Sequence, residues 1–148
     1  MNGLDTNILL RWLILPGEGD LRSSDAEIER VSEIVLADGA RFFFNTIVVA
    51  ETTWILEKKL KISRSDVSEI VERLLYSENI SVGNEAEVRA AQLQFEASNA
   101  NFADCLIAQL NLAAGCSHTL TFDQKASRTV GFRHVSDHEE PRRDHQDP

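Results

Sequence analysis

Long apolar runs, cysteine and positive charge are all scarce in this chain of 148 residues, and each scarcity excludes something. The longest apolar stretch, Ile8 to Leu15, is interrupted by Arg11 and falls well short of a membrane span. Asp5 and Arg11 also break any signal-peptide core, so a cytoplasmic location without membrane attachment is expected. Two cysteines, Cys105 and Cys116, are too few for a disulfide framework; set in apolar sequence, they read as reduced, buried thiols. Lys and Arg number 15 against 24 Asp and Glu, giving a net charge of -9. That balance argues against a broad basic face gripping nucleic acid. A nuclease remains compatible, because bound divalent cations would cancel the most concentrated negative charge. The basic residues Lys58, Lys59, Lys61 and Arg64, and later Lys125, Arg128 and Arg133, read as solvated helix ends.

What is present is an ordinary globular composition, 43% apolar and 26% charged, in a chain long enough for one domain with a full core. Met1 to Leu4 allows a short strand, and Thr6 to Leu15 a helix stopped by Pro16-Gly17. Ser24 and Glu27 form a capping box for a helix to about Ala37, ended by Asp38-Gly39. Phe42 to Phe44 has no polar alternation, as expected of a strand covered on both faces. Thr46 is expected to cap a helix reaching Lys59, and Ser63 one reaching Leu75 or Tyr76. After a strand at Ile80 to Val82, Asn84 with Glu87 opens a helix to about Ala97. Asn101 with Asp104 opens another, closed by Gly115. His118 to Phe122 is a strand, Gln124 to Arg128 a helical turn, and Phe132 to Val135 a last strand. Residues 1–136 thus form one domain, and 137–148 a polar tail expected to be disordered. Strands alternating with helices predict an α/β fold with a parallel sheet covered on both sides. Sites in such sheets form beyond the carboxyl ends of the strands.

Four acids stand where apolar neighbours predict burial, which costs free energy unless something offsets it. Asp5 follows the first strand and Asp123 the fourth; by themselves they are also a good helix N-cap and a good turn residue. Asp104 lies at the third position of its helix, where a capping acid is common, yet within Phe102-Ala103-Asp104-Cys105-Leu106-Ile107-Ala108. Glu51 has no cap to explain it. At about 100° per residue, Ile47, Val48, Trp54 and Ile55 are expected to surround it.

Asp5-Thr6-Asn7, Val49-Ala50-Glu51, Ala103-Asp104-Cys105-Leu106-Ile107-Ala108 and Thr121-Phe122-Asp123, in that order and spacing, resemble the ordered acids of PIN-domain ribonucleases. Length and the first two motifs most resemble the VapC toxins of bacterial toxin–antitoxin systems. The resemblance covers about residues 1–135. It implies a three-layer α/β/α sandwich with a short-stranded, mainly parallel central sheet. It further implies magnesium- or manganese-dependent RNA cleavage, a homodimer and a cognate antitoxin. The antitoxin, not this chain, would carry any DNA-binding domain, and would cover the acidic groove, an Arg meeting the carboxylates.

Oxygen ligands without Cys or His favour a hard ion, Mg²⁺ or Mn²⁺, over zinc. Asp5, Glu51, Asp104 and Asp123 carry about four negative charges, which one or two such ions would balance, activating water for phosphodiester hydrolysis. Thr6, Asn7 and Thr121 would orient these carboxylates or their water. Without metal, mutual repulsion is expected to raise at least one carboxylate's pKa. Rival readings are weaker. A phosphatase of the haloacid dehalogenase type needs a second aspartate where Asn7 stands. His134 and His138, four apart, fall on a strand and the tail rather than on one helix face. A non-catalytic interaction domain would not need all four acids, and none is missing.

Overall fold

A computed structural model describes residues 1–13 and 25–139. The stop at Pro16-Gly17, the Ser24 cap and the tail from residue 140 onward lie outside the described residues. Among the described residues, five short strands alternate with helices as the sequence predicts. β1 (Asn2–Gly3) leads to α1 (Thr6–Leu13) and α2 (Asp25–Val35); β2 (Phe42–Phe44) leads to α3 (Thr46–Trp54). Next come α4 (Arg64–Tyr76), β3 (Ile80–Val82), α5 (Glu85–Glu96) and α6 (Phe102–Ala113), then β4 (Thr119–Thr121), α7 (Gln124–Ser127) and β5 (Phe132–His134). Every pairing is parallel: β2 lies between β1 and β3, and β4 pairs with β5. The hydrogen bonds therefore form a three-stranded and a two-stranded piece. With only two residues, β1 presents almost no edge for further pairing.

Apolar side chains pack in two clusters. The larger joins Leu9 and Leu10 of α1, Phe44, Val49 of α3, Val67 and Val71 of α4, Phe95 of α5, and Phe102 and Leu106 of α6. A smaller one joins Val31 and Val35 of α2 to Phe42, and Leu4 and Trp12 pack against both. The strand Phe42–Phe44 is buried at both ends and half-buried at Phe43, as its unbroken apolar run requires.

Local signals mostly resolve as written. Ser63 Oγ accepts from Asp66 N–H at 3.2 Å and Asn101 Oδ1 from Asp104 N–H at 2.7 Å, two true caps. Gly115 closes α6 at φ +96°, where a side chain would be strained. Four expectations need correction. Asn45, not Thr46, caps α3, accepting from Val48 N–H at 3.0 Å. Asn84 adopts a left-handed conformation with φ 50° and makes no side-chain cap; its Oδ1 accepts from the Thr46 hydroxyl at 2.6 Å, tying the start of α3 to that of α5. The helix expected to reach Lys59 continues past Trp54 as a π-helical turn, Ile55–Lys59, closed by Leu60 N–H on Ile55 C=O at 3.0 Å. Asp137, expected to begin the tail, ends a 3-10 turn, Val135–Asp137. Phe44→Ala should destabilise the protein by ~3–5 kcal/mol, as for other fully buried aromatics. Ile47→Ala, on the exposed side of α3, should shift it by no more than ~0.5 kcal/mol in urea unfolding; equal costs would contradict this packing.

Candidate active site

Asp5 and Asp123 each stand two residues past a strand end, on the carboxyl side of β1 and β4. Each also caps a helix. Asp5 Oδ1 accepts from Ile8 N–H at 3.0 Å, and Asp123 Oδ1 from Lys125 and Ala126 N–H at 2.8 and 3.2 Å. Capping thus occupies one oxygen of each carboxylate and orients the other. Both side chains are exposed rather than buried, so the apolar sequence around them does not desolvate them. Thr121 Oγ1 accepts from Asp123 N–H at 3.0 Å, holding that turn. Thr6 is buried and Asn7 exposed; neither side chain bonds Asp5 among the described residues.

Asp104 behaves differently. On the first turn of α6 it is half-buried. Burial raises its carboxyl above the ordinary 3.8, the charge of Asp123 raises it further, and Lys58 and the Asn101 hydrogen bond oppose both. Repulsion between carboxylates was the expected cause; desolvation leads and Asp123 is second. Helix α6 packs against α3 and β4, which places Asp104, Lys58 and Asp123 within electrostatic reach of one another.

Glu51 overturns an expectation. It is exposed, and so are Ile47 (74%) and Trp54 (44%), the apolar residues on its own stripe of α3. The helix buries Val48, Val49, Thr52 and Thr53 instead. Because α3 is apolar on nearly every side, periodicity alone could not say which face turns inward. Cys116 is exposed too, against expectation, since it follows Gly115 beyond the helix end. Cys105 is buried as expected, its thiol pushed up to about 11 by burial, which leaves it unreactive.

The basic residues are not all solvated. Arg64 Nη1 donates to Ala100 C=O at 2.8 Å, and Nη2 to Phe95 and Ser98 C=O at 2.6 and 2.8 Å. Lys59 Nζ lies 5.6 Å from the Trp54 ring. Sequence reasoning also missed Glu57, whose Oε2 accepts from Phe102 N–H, the first of α6, at 3.0 Å. Its partner lies 45 residues away, and no local pattern marks it. The histidine rival finds no support: His134 Nδ1 is 2.7 Å from Ser136 Oγ, and Nε2 is 3.1 Å from the Phe122 carbonyl.

A hard divalent cation suits the donor chemistry, since Asp104 and Asp123 are oxygen donors whose like charges raise the Asp104 carboxyl. Among the described residues, however, no three His, Cys, Asp or Glu side chains converge closely enough to hold an ion.

The arrangement of parallel strands, covering helices and acids at strand ends defines a class. The PIN domain family model matches residues 4–131, and the chain belongs to that family. It is similar to the VapC ribonuclease of Aquifex aeolicus (strain VF5), 29% identical over 140 residues, which covers 95% of this chain and 99% of that protein.

The raised carboxyl has a consequence for stability. An acid with a higher pKa folded than unfolded subtracts nothing below its unfolded pKa, and its full penalty above its folded one. Metal-free Asp104→Asn should therefore melt above the parent protein at pH 7, the gap closing as pH falls toward 4. Scanning calorimetry across that range checks it; a lower melting temperature for the variant at pH 7 would reverse the assignment.

Proposed function

We propose that this chain is a metal-dependent endoribonuclease acting as the toxin of a toxin–antitoxin pair. The observation that carries the reading is the half-buried Asp104 within electrostatic reach of Asp123, which stands beyond the carboxyl end of β4. A structural cap alone gives no reason to bring a second carboxylate within reach of it. Membership of the PIN family and the likeness to a VapC ribonuclease support the same reading.

Asp104 and Asp123 would hold Mg²⁺ or Mn²⁺, with Asp5 and Glu51 drawn in to complete a site for one or two ions. The ion would supply positive charge to the scissile phosphate and acidify a water molecule there. Asp5 and Asp123 present oriented oxygens because their capping bonds fix the carboxylate planes. Thr121 steadies Asp123 through its backbone, and Thr6 and Asn7 would orient Asp5 or its water. Lys58, already in reach of Asp104, offsets negative charge where RNA must approach. A homodimer, a cognate antitoxin and a cytoplasmic location belong to the same proposal. Among the described residues no helix is long and apolar enough to cross a membrane. One observation favours a second reading, a PIN-like interaction domain without catalysis: the four acids do not converge into a ready ion cage.

Cleavage of a mixed RNA pool separates the two. Asp5→Asn and Asp104→Asn should each lower the Mg²⁺-dependent rate about a hundredfold or more, on the order of 3 kcal/mol, with unchanged circular dichroism. Full activity in either variant would remove that residue from the site. Titrating Mn²⁺ calorimetrically at about pH 4.5, in two buffers of different ionisation enthalpy, should give different apparent heats, because the raised Asp104 carboxyl is partly protonated there and would lose that proton on binding. Identical heats would exclude that release.

A further inference from the structure

Between the C-terminus of α5 and the N-terminus of α6, two charged side chains from the π turn and the start of α4 meet. Glu57 Oε2 accepts from Phe102 N–H at 3.0 Å, and Glu57 Oε1 lies 3.8 Å from Arg64 Nη1. The Glu57 side chain is only 10% exposed. Arg64 in turn holds the carbonyls of Phe95, Ser98 and Ala100, and its guanidinium stacks 3.9 Å from the Phe95 ring centre. Phe95 packs edge-on against Phe102 at 5.7 Å. An anion therefore sits on the N-terminus of α6 and a cation on the C-terminal end of α5, each matching the local backbone charge.

Phe102 is two residues before Asp104. Two side chains secure that first turn, Asn101 at the Asp104 amide and Glu57 at the Phe102 amide. Helical rotation couples them: if the first turn frays or rotates, the Asp104 carboxylate turns with it. We propose that Glu57 is a positioning residue, fixing the first turn of α6 so that Asp104 presents its carboxylate to a divalent ion. This rests on the nuclease reading of Asp104. The π turn has a role in the same arrangement. It supplies both Glu57, which reaches the helix end, and Lys58, which reaches Asp104 electrostatically.

Three variants of the full chain test it, read by Mn²⁺ binding in electron paramagnetic resonance and by RNA cleavage in Mg²⁺. Glu57→Ala should weaken Mn²⁺ binding and lower kcat about tenfold or more, with KM for RNA within about twofold, as outer-sphere supports of metal ligands do. Glu57→Gln keeps an acceptor for Phe102 N–H and should stay within about threefold of the parent on both measures. Val71→Ala, a buried core change in α4, which carries none of the four candidate acids, should lower the melting temperature yet leave kcat and Mn²⁺ affinity unchanged. Parent-like Mn²⁺ affinity in Glu57→Ala, equal impairment in Glu57→Gln, or equal impairment in Val71→Ala would each overturn the proposal. Should the parent protein bind Mn²⁺ but cleave no RNA, the nuclease reading fails while the Mn²⁺ comparison still decides the role of Glu57. Absence of Mn²⁺ binding by the parent protein would overturn both.

Discussion

The exchange of backbone partners at the α5–α6 junction is the constraint on which the rest of the site depends. A tight connection between two helices leaves carbonyls at one end and amides at the next without intrahelical partners, and here both ends are in or near the core. Arg64 and Glu57 supply those partners from outside. At 3.8 Å their direct ion pair is long, so its own contribution is small. The larger effect comes from backbone groups that would otherwise be buried unsatisfied, each worth roughly 1–3 kcal/mol. Phe95 and Phe102, fully buried on either side, are held by the same contacts. The core and the first turn of α6 are thus one mechanical unit.

The acids, too, stand where helix ends set the local charge. Asp5 and Asp123 cap helices and Asp104 lies on the first turn of another, so three of the four stand at helix N-termini. Partial positive charge there lowers the cost of bringing carboxylates together. Capping, the bland explanation for Asp5 and Asp123, is real, and it does not compete with ion binding. It uses one oxygen and orients the other. Glu51 lacks any such support, standing mid-helix on an exposed stripe with Ile47 and Trp54.

What the sequence made legible follows from the range of the interactions. Ser63 with Asp66 and Asn101 with Asp104 were readable because cap and amide lie three residues apart. The parallel strands were readable as short apolar runs between helices, and the family resemblance drawn from the acid motifs is borne out by the PIN domain match over residues 4–131. Asn45 was missed because Thr46 beside it is an equally good cap by type, and only the backbone decides between them. The left-handed Asn84 and the backbone partners of Glu57 and Arg64 answer to groups more than thirty residues away, and no capping pattern marks the π turn. Glu51 was misplaced for another reason: a helix apolar all round carries no periodic signal of its buried side.

That misplacement changes how the site must work. Asp104 alone has part of its desolvation already imposed by the fold, while Asp5, Glu51 and Asp123 remain exposed. A cation arriving at Asp104 and Asp123 would relieve a penalty already present. Engaging Glu51 would instead strip water from a hydrated carboxylate and order a free side chain. The first is favoured by the folded chain itself, the second only by what approaches. Ion binding at this edge is therefore expected to be anchored on α6 and completed from α3. With a net charge of -9, RNA gains little from the surface as a whole. On the nuclease reading, its approach would depend on local cancellation around Asp104, through Lys58 and a bound ion, and the α6 anchor would then govern both metal and substrate.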